Sequence, residues 1–424
     1  MSIPPARSMA LDILRRTLDQ RQDLQAAVDT VLGMAAPGPE TGLATELAYG
    51  YLRLRGRLDF LLSLLLKNPV QTSPALKRIL GLAAYELLFL GGVPEYATLD
   101  WAVSLTKKRL GQTMANVVNG VLRNLIRLGP DARHADLYRT RTTGVVPFLA
   151  AWYSCPAWLA RMWIAAYGQE QTELFLRATL SPPPVGVRIN QTHPGAPDLR
   201  RVMQQSSACP GDWSCVLHSW TDFMRDAARN GVATRQSLAA QSIMGDLDVA
   251  RWPDPILDAC AGRGGKAFLM AELGKTVWAS DINVFRLRQL RSESRRLGLA
   301  VPAFLAPGQG PYPLRIAPQT VFLDAPCSGL GVLARRPDIK WKRTPEDCAG
   351  LAELQREILA GAAGLLPSGG HLVYVTCTLH PDENQTQIQR FLALHPQFSL
   401  LIEVQTATDS GLGEFFYGAA MRKK

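Results

Sequence analysis

Val321-Phe-Leu-Asp-Ala-Pro-Cys-Ser-Gly329 is the stretch on which the reading of this chain turns. Three apolar residues of high strand propensity run into an acid, a proline and a thiol, so a buried strand stops where reactive groups begin. Further on, Leu372-Val-Tyr-Val-Thr-Cys-Thr378 repeats the plan and ends at Cys377. Two strands that each deliver a cysteine at the carboxyl end place both thiols on one rim of a parallel sheet. Open α/β folds bind their ligands at that rim.

Working outward, the stretch after Gln236 alternates strand and helix. Strands are expected at 255–259, 276–281, 303–305, 320–324 and 371–376, with helices at 266–273, 284–297 and 345–366 between them. This alternation predicts an α/β fold with a doubly wound, mostly parallel sheet over 236–424. Residues 1–143 read differently. Leu47, Tyr51, Leu54, Leu58, Leu61 and Leu65 mark one helix face, and Val117, Val121, Leu122 and Leu125 mark another, so this part is all-helical. Its breaks fall at 37–39, 68–74 and 91–94. Residues 144–235 are expected to form a small mixed α/β domain, helical over 156–163 and with a short strand at 185–189. Its tryptophans, among them Trp152 and Trp163, read as core residues before base-stacking ones.

The chain's 424 residues exceed what one core accommodates and fit three such domains. Its 46 basic and 36 acidic residues leave a charge of +10, which favours a polyanionic partner such as nucleic acid. Arg53, Arg55, Arg57, Lys107, Lys108, Arg109, Arg123 and Arg127 could meet phosphates or simply form a solvated helix face. The start, Met1-Ser-Ile-Pro-Pro-Ala-Arg7, lacks a signal pattern, and the most apolar run, 79–93, is short and interrupted by Glu86. Seven cysteines without a regular framework suit a reducing compartment. A soluble, cytoplasmic, monomeric protein with no membrane partner is expected.

Asp258-Ala-Cys-Ala-Gly-Arg-Gly-Gly265 follows the first strand of the α/β part and opens a helix. Its glycines allow close backbone approach to a ligand, and the helix start favours a negative group. Asp281, ending the next strand, stands where such folds bind a ribose hydroxyl, or is a helix N-cap. Loop and acid together restrict the ligand to a nucleoside-containing cofactor, of NAD type or S-adenosylmethionine type. The cysteines favour the second. Carbon-5 of a pyrimidine is a poor nucleophile until a thiolate adds at carbon-6, and Asp324 is placed to hydrogen-bond the ring nitrogen. The same thiols could be buried core residues, and Cys260, Cys327, Cys348 and Cys377 lack the close ligand pair of a metal site.

Asp258-Ala-Cys-Ala-Gly-Arg-Gly-Gly-Lys266, Asp324-Ala-Pro-Cys-Ser-Gly329, Arg335-Arg-Pro-Asp-Ile-Lys-Trp341 and Tyr374-Val-Thr-Cys-Thr378 with Glu383-Asn384 resemble motifs of RNA cytosine-5 methyltransferases. The chain is most similar to the bacterial Sun (Fmu or RsmB) family acting on 16S ribosomal RNA. The helical first domain resembles its NusB-type RNA-binding domain, through Val118-Asn-Gly-Val-Leu-Arg123. The resemblance implies a class I methyltransferase fold with Cys377 as nucleophile, Cys327 as the cysteine that resolves the adduct and Asp324 holding the base. Lys266 would lie near the active site. Cys260, Ala261, Gly262, Arg263, Gly264, Gly265 and Lys266 would hold S-adenosylmethionine with Asp281, Gln309 and Asp324, while Arg335, Arg336 and Lys340 would be candidates for RNA contact. The chain departs from the pattern at Gly262-Arg263, where the family has Ala-Pro, and at Gln309, where it has an acid. Ser237 replaces an Asp, and the run ending at Met421 lacks a lysine. The implied activity is methylation of ribosomal RNA at cytosine carbon-5. A non-catalytic RNA-binding or ribosome-assembly factor with a decayed cofactor site is the alternative; a nicotinamide oxidoreductase leaves both cysteine motifs unexplained.

Overall fold

A computed structural model describes residues 5–33, 36, 38–206, 211 and 213–424. The first four residues, read above for a missing signal pattern, and Pro37 of the 37–39 break lie outside the described residues. The chain divides into two compact units, Met1–Ser181 with Leu333–Arg343, and Pro182–Val332 with Thr344–Lys424.

The first unit is all-helical. Its helices are α1 (Pro5–Leu18), α2 (Leu24–Leu32), α3 (Pro39–Leu65), α4 (Pro74–Phe89), α5 (Glu95–Leu110), α6 (Gln112–Leu128), α7 (Ala135–Arg141), α8 (Val145–Trp152) and α9 (Ala157–Ala178), the last broken at Gly168. The apolar stripe on α3 buries Leu47, Tyr51, Leu58 and Leu61, and that on α6 buries Val121, Leu122 and Leu125. Glu86, the charge in the most apolar run, lies inside α4 and is fully buried. It is paired with Arg7 at 3.0 Å and accepts hydrogen bonds from Thr98 Oγ1 (2.6 Å) and Trp101 Nε1 (3.1 Å), and these donors let a charge be tolerated in this core. Among the described residues no helix is long and apolar enough to cross a membrane.

The unit extends beyond 143, where the sequence reading ended it. α8 and α9 join it because their apolar faces bury Leu149, Leu159 and Trp163, and Trp152 lies 5.2 Å from the Tyr138 ring. Two of the basic residues read as phosphate ligands or solvated charges are neither. Arg53 and Arg57 are buried, Arg53 Nη2 donating to Ala334 O (3.1 Å) and the Arg57 guanidinium stacking 3.6 Å over Trp152. Lys107, Lys108, Arg109, Arg123 and Arg127 are exposed.

The second unit holds two sheets. The smaller is antiparallel, in the order β2 (Ser214–Leu217), β1 (Val185–Ile189), β3 (Ala233–Arg235), with α10 (Ala196–Ser206) and α11 (Asp222–Arg229) beside it. Short α12 (Leu238–Asp246) leads to the larger sheet. Its order is β6 (Ala303–Leu305), β5 (Val277–Asp281), β4 (Ile256–Asp258), β7 (Thr320–Asp324), β8 (His371–Thr376), β10 (Tyr417–Lys423), β9 (Phe398–Gln405). The first five strands are parallel and the last two antiparallel. Helices α13 (Gly265–Glu272), α14 (Val284–Leu297), α16 (Pro345–Leu365) and α17 (Gln385–Leu394) complete the α/β layers; α15 (Ile339–Lys342) belongs to the first unit. The expected doubly wound, mostly parallel sheet is present, extended by β9 and β10, which the sequence reading lacked. Leu257, Val321, Leu323, Leu372 and Tyr374 form its buried centre with Ile358 and Leu359 of α16.

Candidate active site

Four parallel strands end side by side. β4 finishes at Asp258, β5 at Asp281, β7 at Asp324 and β8 at Thr376, one residue before Cys377. All polar strand ends therefore share one rim, as the sequence pattern requires.

The loop after β4 is a tight turn. Gly264 N donates to Ala261 O (2.8 Å), Ala261 N donates to Ser280 O (2.9 Å), and α13 begins at once. Gly264 has φ +87°, and a Cβ there would stand 2.6 Å from the Phe268 ring, so only glycine closes this turn. Asp281 is not the cap of α14: Asn283 is, accepting from Phe285 N (2.9 Å) and Arg286 N (3.2 Å). Asp281 is instead gripped by the Gly262 amide on Oδ2 (2.9 Å) and the Asn283 amide on Oδ1 (2.7 Å), which fixes its carboxylate toward the loop.

Between these groups lies a cavity of about 220 Å³, lined among others by Cys260, Asp281, Ile282, Gln309, Asp324 and Pro326. Gln309 Nε2 stands 3.5 Å from Glu357 Oε2, so a carboxylate is present beside the amide that occupies the expected acid's place. Ala261, Gly262, Arg263, Gly264 and Gly265 shape the turn without lining the cavity, and the Arg263 side chain is exposed. Asp258 is buried with Oδ2 unpartnered, and burial, reinforced by the Asp324 charge, holds its carboxyl well above the ordinary range.

Lys266, on the first turn of α13, donates to Asp324 Oδ2 at 2.6 Å and sits 5.3 Å from the Phe416 ring centre. Burial alone would lower its ammonium's pKa, but the adjoining Asp324 carboxylate overrides that and holds it above the ordinary lysine value. Asp324 joins the cavity and the thiols, being both a cavity wall and the last residue of the strand that leads to Cys327.

The two thiols meet. Cys327 Sγ and Cys377 Sγ are 3.3 Å apart, both free cysteines, and the Cys377 amide donates to Cys327 Sγ at 3.4 Å. The hydrogen bond with Cys377, then burial, then the charge of Cys377 and Glu383 push the Cys327 thiol well above its ordinary pKa. Either sulfur could be the donor of this hydrogen bond. Gly331 N donates to Cys377 O (3.0 Å) and Phe415 N to Gly331 O (2.8 Å), and a Cβ at 331 would be 2.0 Å from Phe415 O.

Not every predicted residue arrives here. Lys340, a proposed RNA contact, is buried in the first unit with Nζ donating to Arg53 O (2.9 Å), and burial pushes its ammonium down to about 7. A desolvated amine bonded to a carbonyl cannot meet a phosphate. Arg336 is exposed and pairs with Asp23. Conversely, Gln355 and Phe416 were missed. Gln355 sits at helical spacing with Ala352, Ile358 and Leu359 on the buried face of α16, and a glutamine in such a stripe was the available signal.

A family model described as 16S rRNA methyltransferase RsmB/F matches residues 250–417, a NusB family model matches 4–127, and a ferredoxin-like domain model of RsmF/B-like methyltransferases matches 155–208. The chain is 32% identical over 376 residues to the probable ribosomal RNA small subunit methyltransferase B of Bacillus subtilis, covering 84% of this chain and 81% of that protein. It is 31% identical to ribosomal RNA small subunit methyltransferase B of Escherichia coli, covering 91% and 89%. The crystal structure of PH0851 shares the fold, with a TM-score of 0.77 at 20% identity over the whole of both chains. Sequence identity of this extent, together with the three domain matches, means that the chain belongs to the RsmB/F family of 16S rRNA methyltransferases.

Proposed function

We propose that this protein methylates carbon-5 of a cytosine in small-subunit ribosomal RNA, with S-adenosylmethionine as methyl donor and Cys377 as covalent nucleophile. Membership of the family makes the chain an rRNA methyltransferase; the atom methylated and the covalent route are the proposal. The observation that carries it is the 3.3 Å thiol pair beside the Lys266–Asp324 ion pair at 2.6 Å, on the rim that also holds the cavity.

The cavity suits the donor. Asp281, oriented by two backbone amides, matches a ribose diol, and Ile282, Leu354 and Ile358 offer apolar wall to an adenine, with Gln309 at its edge. When bound, S-adenosylmethionine supplies an electrophilic methyl group. Arg263 and Gln309 leave this donor set standing, which speaks against a decayed site.

The residues divide the remaining work. Cys377 as thiolate adds to carbon-6, forming a C–S bond and moving an electron pair to the ring nitrogen, which takes up a proton that Lys266 delivers through Asp324. Carbon-5, now enamine-like, accepts the methyl group. A base then takes the carbon-5 proton, the electron pair left behind forms the carbon-5–carbon-6 double bond, the carbon-6–sulfur bond breaks, and the Cys377 sulfur departs as thiolate beside Cys327. The base must reach this rim unstacked. Transfer of labelled methyl from S-adenosylmethionine to unmodified small-subunit RNA, with nucleosides resolved, tests the reading. Label should appear in 5-methylcytosine and vanish in Cys377→Ala, while Cys327→Ala should accumulate a denaturant-resistant protein–RNA adduct. Label in another nucleoside, or undiminished label in Cys377→Ala, refutes it.

A further inference from the structure

Below the two cysteines lies a polar cluster that the mechanism above does not use. Glu383 is fully buried, and its Oε2 accepts from the Ser328 amide (2.8 Å) and from Gln355 Nε2 (2.9 Å). Gln355 Nε2 also donates to Pro326 O (2.9 Å), so the residues on either side of Cys327 are fixed through one carboxylate and one amide. The next residue serves the other thiol. Asn384, also fully buried, accepts from Thr376 Oγ1 (2.6 Å) and donates through Nδ2 to Thr378 O (2.9 Å), gripping both neighbours of Cys377. The Ser328 and Thr378 hydroxyls close the arrangement at 2.6 Å, and Tyr374 Oη donates to Glu383 O (2.8 Å) from within β8.

We infer that Glu383 and Asn384 are a positioning pair, two adjacent residues that hold the Cys327 and Cys377 loops in register and so set the sulfur–sulfur distance. The inference deepens the thiol mechanism and rests on it for its functional meaning, but the register itself is a property of the protein alone. Neighbouring residues on one rigid backbone cannot drift apart, so loops clamped to them cannot either. A hydrogen bond between sulfurs tolerates little displacement, and a misplacement of about 1 Å at reacting groups costs on the order of 10²-fold in rate.

The rate at which Cys327 and Cys377 form a disulfide with diamide, followed by peptide mapping at fixed pH, reads the register with neither cofactor nor RNA. The reagent accepts two electrons and two protons as the two thiols become one S–S bond. Glu383→Gln keeps an acceptor oxygen at full reach and should stay within about threefold of the parent. Glu383→Asp keeps the charge but withdraws the oxygen by one methylene, and should slow the disulfide by about tenfold or more, as should Asn384→Ala. In steady-state methylation the same slow variants should lose kcat with the KM for S-adenosylmethionine unchanged. Folded Glu383→Asp and Asn384→Ala proteins that oxidise at the parental rate overturn the inference, and so does Glu383→Gln behaving like Glu383→Asp. Failure of the parent to methylate RNA while the disulfide rates follow this order would sink the functional reading and leave the clamp standing.

Discussion

Arg188→Met is the substitution whose cost can be worked most directly from the structure. Arg188 sits on β1, the central strand of the small sheet, with no exposed side-chain surface, and forms a two-pronged pair with Glu272, Nε to Oε2 at 2.8 Å and Nη2 to Oε1 at 3.0 Å. Its Nη1 also donates to Gly265 O at 2.6 Å, on the first residue of α13 and next to Lys266. Methionine fills similar volume but leaves Glu272, 2% exposed, as an uncompensated buried charge. Breaking such a pair from one side costs about 3–5 kcal/mol. At about 2–4 °C per kcal/mol for a body of this size, the melting temperature should fall by on the order of 10 °C. Burial already holds the Glu272 carboxyl above the ordinary value of 4.5, against the pull of Arg188. A carboxyl raised in the folded state loses stability as pH climbs above its unfolded pKa, and removing Arg188 deepens that loss. The gap between variant and parent in urea denaturation should therefore be widest near pH 7 and shrink toward pH 5. In the double variant Arg188→Met/Glu272→Gln about 1–3 kcal/mol should return, because the stranded charge is gone. A loss below about 1 kcal/mol in Arg188→Met, or a double variant no better than the single, would refute the pairing argument.

Two other outcomes follow from the helical unit. With Lys340 held near 7 when folded and near 10.5 when unfolded, the folded state sheds a proton that the unfolded state keeps, so stability of this unit should rise between pH 7 and 10 by up to about 1.4 kcal/mol per pH unit. Denaturant midpoints at pH 7 and 9 should show that rise in the parent and not in Lys340→Met; a flat parent contradicts it. A fragment beginning at Pro182 would strip Leu333–Arg343 of its partners, among them Arg53 O for Lys340 Nζ and Leu52 O for Trp341 Nε1. Trypsin should cut that fragment within 333–343 and spare the full chain there, and equal resistance of the two would show that the segment holds its conformation without the helices.

The sequence showed the strand ends better than the residues that support them. The strands at 303–305, 320–324 and 371–376 match β6, β7 and β8, and in the last two an apolar run ending in an acid or running into a thiol leaves little choice of register. β10 escaped since Tyr417-Gly-Ala-Ala-Met-Arg-Lys423 is built of small residues with weak strand propensity; it is buried all the same, between β8 and β9. Arg335 to Trp341 held candidate RNA contacts through the resemblance alone. Its true setting depends on Lys340 finding a carbonyl 287 residues earlier in the chain, which no local pattern records. Arg53 and Arg57 misled in the same way, one settled by a carbonyl and the other by an indole face.

That asymmetry has a physical cause. A thiol or carboxylate that must meet substrate has to stand at a strand end, and strand ends are marked by the sharp fall of hydrophobicity that a reader can find. The groups that hold those side chains in place must instead be buried and polar, and a buried polar atom without a partner costs about 1–3 kcal/mol. The meaning of such groups therefore lies in pairings: Glu383 Oε2 with Ser328 and Gln355, Asn384 with Thr376 and Thr378, Asp281 with Gly262 and Asn283. Each member alone is an ordinary acid or amide, as much at home on a surface. Those pairings are what the fold supplies, and loss of one member strands its partners on either side of the two thiols.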